Sequence, residues 1–256
     1  MTQYISVAAD DRIEAKNGII KLHGPEGFEG MRRAGRLAAE ILDALAAHVV
    51  PGVSTEQLDD IVHKMTLDGG GLPATLGYRG YTKSSCISIN HVVCHGIPSD
   101  KTLKDGDIVN IDVTPIVDGW HGDSSRMYLV GNVPLRARKL VDVTYECLML
   151  GLEQAKPGNH LGDIANAIQR HAEAHRYSVV RDFCGHGVGR VFHDSPEVIH
   201  AGRHDQQDTR RRMRLWLGAL PAHGRADLRQ QLPLPPVPAA DRHGVGGQRF
   251  HRKRPH

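Results

Sequence analysis

Asp112 and Asp123 lie in the run NIDVTPIVDGWHGDSS, residues 110–125. Between them, Asp118-Gly119 is a two-residue hairpin signal, because both residue types tolerate positive φ. A turn there makes Val117 face Trp120, and counting back sets Thr114 opposite Asp123. Asp112 then shares that face as a diagonal neighbour of Asp123, roughly 7–8 Å away at the backbone. Two carboxylates converging at such range repel unless a cation or a shared proton compensates. The same letters also fit two solvated aspartates on the polar face of a hairpin, with Val109, Ile111 and Val113 on its apolar face.

Histidines supply the second kind of donor. His186 stands between glycines in GHGVGRVFH, and His193 comes seven residues later. This run lacks the spacing of a phosphate-binding glycine loop, and Pro196 breaks the segment VFHDSPEVIH where a long helix would have to open, so a nucleotide site is rejected. The flanking glycines instead let backbone and ligand approach an imidazole closely. Cys94-His95 invites a cysteine-nucleophile reading. The run HVVCHGI predicts a strand, however, on which adjacent side chains face opposite ways and cannot pair. Each histidine alone fits a core residue as well as a functional one. Taken together, two Asp and one His make an oxygen-rich site with one imidazole, suited to Mn, Fe, Co or Zn and unlike a structural thiolate zinc site.

The surrounding elements are read from periodicity. Residues 1–25 read as a loose arm. Met31, Ala34, Leu37, Ala38, Ile41, Leu42 and Leu45 fall on one face of a helix spanning Phe28 to Val49 and ended by Pro51-Gly52. Ser54 with Gln57 is a capping box opening a second helix, with face Leu58, Ile61, Val62 and Met65, stopped by Gly69-Gly70-Gly71. SSCISIN and HVVCHGI predict strands ahead of the hairpin. Helices are expected from about Leu135 to Ala155 and from about Leu161 to Arg176, and YSVVRDF predicts a strand leading into GHGVGRVFH. The order suggests an α/β (α+β) fold of mixed sheets with helices packed on one side, and no tandem repeat.

No apolar run approaches the roughly 20 residues that span a bilayer. The N-terminus carries acidic residues where a signal peptide would be basic, which predicts a cytoplasmic protein. Cys86, Cys94, Cys147 and Cys184 show neither CxxC pairs nor a disulfide framework, which suits a reducing compartment. The net charge of +3 conceals a break. Residues 201–256 hold 12 of the 32 Lys and Arg but 4 of the 29 Asp and Glu, leaving 20 basic against 25 acidic groups in the first 200. That tail contains no Glu, Ile or Tyr, and includes QQLPLPPVPAADRHGVGG. It reads as a disordered basic extension able to touch RNA or ribosomes.

Three motifs in order, CISINHVVCHGIP, DGDIVNIDVTPIVDGWHGDSSRMYLVG and FCGHGVGRVFHDSPEV, closely resemble the type I methionine aminopeptidases. The likeness extends over about residues 26–200 and includes the helix MRRAGRLAAEIL. It implies the pita-bread fold, with two pseudo-symmetric halves and helices outside, and removal of the initiator methionine ahead of a small second residue. It implies two divalent ions, Co, Mn, Fe or Zn. Asp112, Asp123 and His186 match metal ligands, with the match to Asp123 bridging both ions. His95 and His193 match catalytic histidines that contact substrate and stabilise the tetrahedral intermediate. Tyr78, Tyr81, Cys86 and Phe192 match positions lining the methionine pocket, and Thr75 stands where some members carry a cysteine. The implied partners are nascent polypeptide N-termini and the ribosome, with no membrane and a monomeric chain.

The resemblance breaks near residue 201. The family carries two further glutamate ligands downstream, one of them its proposed general base, whereas this sequence has no Glu after Glu197. The expectation is a catalytic domain over 26–200 with its C-terminal half incomplete, an aberrant, frame-shifted tail over 201–256, and impaired activity. Two other readings stay open: a non-catalytic scaffold of the same fold with an RNA-contacting tail, and a related hydrolase such as a proline-specific aminopeptidase.

Overall fold

The hairpin at Asp118-Gly119 forms in the expected register, and the rest of the fold is arranged about it. The computed structural model describes residues 3–8, 10–12 and 19–202; the tail expected to be disordered lies outside them. Asp118 and Gly119 both adopt positive φ, 49° and 81°. Strands β6 (Pro115–Val117) and β7 (Trp120–His121) pair with Val117 opposite Trp120, and β6 also pairs with β3 (Leu72–Pro73). The same register continues into β5 (Ile108–Val113) and β8 (Ser124–Leu129), where Val113 faces Ser124 and Asp112 faces Ser125. On its other edge β5 pairs with β4 (Ser85–Ile89), which sets Cys86 directly opposite Asp112.

Two helices cover the apolar face of this sheet. Helix α1 (Pro25–Leu45) begins with proline at its first position, where the missing N–H is harmless. Helix α2 (Thr55–Asp68) opens with the expected capping box, since Gln57 N–H donates to Ser54 Oγ and Ser54 N–H to Gln57 Oε1. Leu37, Ala38, Ile41, Leu42 and Leu45 of α1 and Leu58 and Val62 of α2 pack onto Ile87, Ile89, Val109, Ile111 and Val113. Alternation along β5 therefore buries the odd-numbered residues in the core and turns Asp112 to the opposite face. Trp120 is buried against α1, and Gly30 makes room for it: a Cβ there would lie 2.3 Å from the indole Nε1.

Helices α3 (Leu135–Gln154) and α4 (Leu161–Ala174) pack together around a smaller cluster of Val143, Cys147 and Ala172. Strands β9 (Gly185–Gly187) and β10 (Asp194–Val198) then form an antiparallel pair, with Glu197 opposite His186.

Three expectations change. The first 25 residues are not featureless, because β1 (Gln3–Ser6) pairs in parallel with β2 (Ile19–Leu22). HVVCHGI forms no strand. Asn90 turns the chain with φ 53°, its side chain bonding Asp107 and the Ile108 N–H, and His95 has φ 56°. The loop touches β4 again only locally, through Ile87 N–H to Gly96 O and Gly96 N–H to Ser88 Oγ. Its β-branched valines signalled a strand, but the bonds of Asn90 to Asp107 and Ile108 and of Gly96 to β4 prevail. YSVVRDF also stays unpaired among the described residues. Tyr177 and Val179 pack on the α3–α4 cluster, while Val180 and Phe183 remain exposed.

Candidate active site

Strand β5 delivers Asp112, and the turn through Thr114 and Pro115 to Gly122 delivers Asp123 on the same side. The Thr114 hydroxyl donates to Asp123 Oδ1 at 3.2 Å, so the residue opposite Asp123 in the register also orients it. The other oxygen, Oδ2, faces His186 Nε2 at 3.3 Å. His186 donates its Nδ1–H to the Gly187 carbonyl at 2.9 Å, which leaves Nε2 as the nitrogen directed at the carboxylate.

The neighbouring carboxylates and imidazole shift the protonation of Asp112 and His186. Burial, reinforced by the neighbouring Asp123, pushes the Asp112 carboxyl up to about 7, and His186 only partly offsets this. The hydrogen bond to Asp123 raises His186 above the usual imidazole range despite its burial. Two carboxylates held together with a proton on one of them, beside an imidazole with its outer nitrogen already satisfied, are a donor set that a divalent cation fits. Asp112, Asp123 and His186 are the residues that would hold it. Their ligand atoms are spread more openly than a closed coordination shell. Among the described residues, the group of three His, Cys, Asp or Glu with ligand atoms all within 4.8 Å of one another is a different one, Glu146, His171 and His175.

These three residues line a cavity of about 670 Å³ together with Thr75, Tyr78, Arg79, Gly80, Tyr81, Cys86, His95, Thr114, Phe192 and His193. Every site residue expected from the sequence is therefore brought to one cavity. His193 Nδ1 lies 3.1 Å from the Tyr78 hydroxyl, and desolvation lowers its pKa, so its imidazole is neutral near pH 7. In the tautomer whose Nδ1 accepts from the Tyr78 hydroxyl, Nε2 carries the proton and is the nitrogen able to donate to a substrate carbonyl. Tyr78 meets Phe192 edge to face at 5.1 Å, and His95 meets Phe183 at 5.9 Å. The Tyr81 hydroxyl donates to the Ser85 carbonyl at 2.9 Å, and burial raises its pKa. Burial also pushes the Cys86 thiol up to about 11, making it a packing surface and not a nucleophile. Thr75 donates to the Lys83 carbonyl, which keeps its hydroxyl engaged in the backbone.

Two residues were not singled out in the sequence. Thr114 was counted in the register without a role. His121 is buried; its N–H and its ring Nδ1 both reach the Gly189 carbonyl at 2.9 Å, and its ring stacks on Phe192 at 5.4 Å. It thus ties the Asp-bearing hairpin to the loop that carries His186 and His193. A histidine next to a tryptophan on a strand signals only core packing, so nothing in the sequence pointed to this bridge.

Residues 29–215 match the Metallopeptidase family M24. A methionine aminopeptidase of Rickettsia prowazekii is 56% identical over 184 residues, covering 72% of this chain and 71% of that protein. One from Escherichia coli K12 is 52% identical over 192 residues, 74% of this chain and 72% of that protein. The crystal structure of the Rickettsia prowazekii enzyme superposes with a TM-score of 0.71, covering 72% of this chain and 74% of that chain at 56% identity.

Proposed function

Because this chain belongs to metallopeptidase family M24 and has the pita-bread fold, we propose that its site is built to remove the initiator methionine from nascent chains with a small second residue. Relatives at 52–56% identity named as methionine aminopeptidases support the substrate. The observation that carries the reading is that Asp112, Asp123 and His186 line one aromatic-lined cavity, with His186 Nε2 at 3.3 Å from Asp123.

In this reading Asp112, Asp123 and His186 would hold the divalent ions, which would supply Lewis-acid polarisation and acidify water. Thr114 fixes the rotamer of Asp123, and Gly187 fixes the tautomer of His186. Tyr78, Tyr81, Cys86 and Phe192 enclose the methionine side chain and exclude water from it. His193, held neutral and oriented by Tyr78, donates through Nε2 to the carbonyl oxygen as negative charge develops there, and His95 contributes a second donor. The substrates would be polypeptide N-termini emerging from the ribosome, met by a monomer in the cytoplasm. No helix of the described residues is long and apolar enough to cross a membrane.

Residues 26–200 supply three ligands, and the sequence holds no Glu beyond Glu197 to complete the set. The 256-residue chain accordingly retains metal weakly and substoichiometrically and releases negligible methionine from a Met-Gly-type peptide, even with excess Mn or Co. Replacing residues 201–256 by a family-like C-terminal segment restores metal retention and turnover together. Elemental analysis after dialysis, with methionine release measured on the same samples, tests this. Two ions per chain with full turnover by the unaltered chain would refute the impairment, and a grafted chain with metal but no turnover would refute the aminopeptidase reading.

A further inference from the structure

A second group of metal-ligating side chains lies outside the cavity, where α3 meets the end of α4. We propose that Glu146, His171 and His175 form a surface site for a first-row transition-metal dication, Zn²⁺, Ni²⁺ or Cu²⁺, that staples the two helices. Glu146 belongs to α3. His171 stands in the last turn of α4, and His175, four residues on, caps that helix, so both imidazoles share one side of it. One ligand atom from each residue lies within 4.8 Å of the others.

Their hydrogen bonds point the same way. His171 Nε2 is 2.7 Å from Glu146 Oε2, and the two imidazole rings are 4.5 Å apart, centre to centre. An ion pair would account for these two residues alone. His175 adds a different feature: its Nδ1 donates to the His171 carbonyl at 3.0 Å, which fixes the tautomer and leaves the Nε2 lone pair open. Backbone-anchored Nδ1–H is the usual support of a metal-binding histidine. In a tetrahedral site with bonds of about 2.0–2.1 Å, ligand atoms sit roughly 3.3 Å apart, so the His171–Glu146 pair needs to open by about 0.6 Å. A rotation of the exposed Glu146 side chain supplies that.

Two further arguments select the ligand. Carbonyl groups at the C-terminal end of a helix favour positive charge, and both histidines are at that end of α4. Two imidazoles with one carboxylate favour Zn²⁺, Ni²⁺ or Cu²⁺ over Mg²⁺ or Ca²⁺, with water filling the remaining position. The role comes from the packing. The shared core of α3 and α4 is small, Val143, Cys147 and Ala172, with Ile168, Tyr177 and Val179 packed against it. A cross-link between the helices therefore has much to add there.

The experiment is equilibrium dialysis of the full chain against Zn²⁺ near neutral pH, with thermal melts on the same samples. Four proteins are compared: wild type, Glu146→Gln, the double variant His171→Gln/His175→Gln, and Asp123→Asn. Zinc held by histidines and cysteines outside the two sites is common to all four, and Asp123→Asn alone loses any zinc held in the cavity, so the differences assign each equivalent to its site. The expected result is loss of one zinc equivalent, or weakening on the order of 100-fold, in the double histidine variant, with loss of most of the zinc-dependent rise in melting temperature. Asp123→Asn retains both. Glu146→Gln, an exposed change that leaves the helix intact, weakens the same equivalent about tenfold and decides the matter if the double variant folds differently by circular dichroism. Wild-type zinc stoichiometry and affinity in Glu146→Gln, or in a folded double variant, would overturn the site.

Discussion

Replacing Asp112 by asparagine should stabilise the metal-free protein at pH 8 while abolishing what metal retention it has. Asn keeps the shape of the side chain and removes the charge. In the folded chain the Asp112 carboxyl is pushed up to about 7, chiefly by burial and then by Asp123, from an ordinary value of 3.8. Between those values the folded state keeps a proton that the unfolded state has released. This contribution to stability is therefore complete below about pH 3.8 and falls as pH rises through about 7. A gap of about three pKa units at 1.36 kcal/mol each sets a ceiling of about 4 kcal/mol. Asp112 opens onto a cavity and is only half-buried, so water screening reduces this to roughly 2 kcal/mol.

Denaturant melts in a chelating buffer from pH 5 to pH 8 measure this directly. Wild type should lose stability across that interval. Asp112→Asn should exceed it by less than about 1 kcal/mol at pH 5, where roughly a third of the contribution is already lost, and by roughly 2 kcal/mol at pH 8, about 4–8 °C in melting temperature for a domain of this size. The variant should not be entirely flat, because His186, also raised, adds stability at low pH that is lost as pH climbs through its folded pKa. In excess Mn or Co the gap should narrow by only a few tenths of a kcal/mol, roughly RT ln 2 at half-saturation, since binding to the folded state stabilises wild type alone but is weak. Equal stability of the two proteins at every pH without metal would refute the reasoning, and the two aspartates would then be merely solvated hairpin residues.

Gly30→Ala should destabilise by about 1–3 kcal/mol, because its Cβ would collide with the indole of Trp120; pairing it with Trp120→Phe should recover part of that loss in a denaturation double-mutant cycle, and simple additivity would count against the contact. His121→Phe keeps a ring for Phe192 and the backbone bond to the Gly189 carbonyl but removes the ring's bond to it, so it should cost about 1 kcal/mol and speed hydrogen exchange at residues 186–193. Unchanged exchange there would show that His121 does not hold the loop.

What the sequence disclosed and what it hid divide by the range of the interactions. A two-residue turn and a side-chain period of two left a single register for the hairpin, so Thr114 could be placed opposite Asp123 from letters alone, and a hydrogen bond now joins them. Helices α1 and α2 were legible for the same reason: apolar spacing and a capping box are local. HVVCHGI misled because its valines favour a strand, yet the chain is turned by Asn90 through bonds to Asp107 and Ile108, 17 and 18 residues away. The bridge from His121 to Gly189 spans 68 residues, and the Glu146–His171 pair spans 25; neither leaves a periodic trace.

The site shows the same division. Asp112 and Asp123 are fixed by one hairpin, whose register rests on pairing within residues 108–129. By the family resemblance, the ligands that close the site come from the last quarter of the chain, where the composition changes and glutamate is absent. The hairpin thus brings together two carboxylates whose full complement of partners is not encoded with them. Burial first and the neighbouring Asp123 second raise the Asp112 pKa, so this carboxylate is readily neutralised by a proton, and a dication is the other counter-charge that fits it. Completing the ligand set should therefore lower the pH at which Asp112 ionises, because a retained dication displaces that proton. A grafted chain that takes up metal near pH 6 and releases a proton as it does so would carry the signature of that exchange.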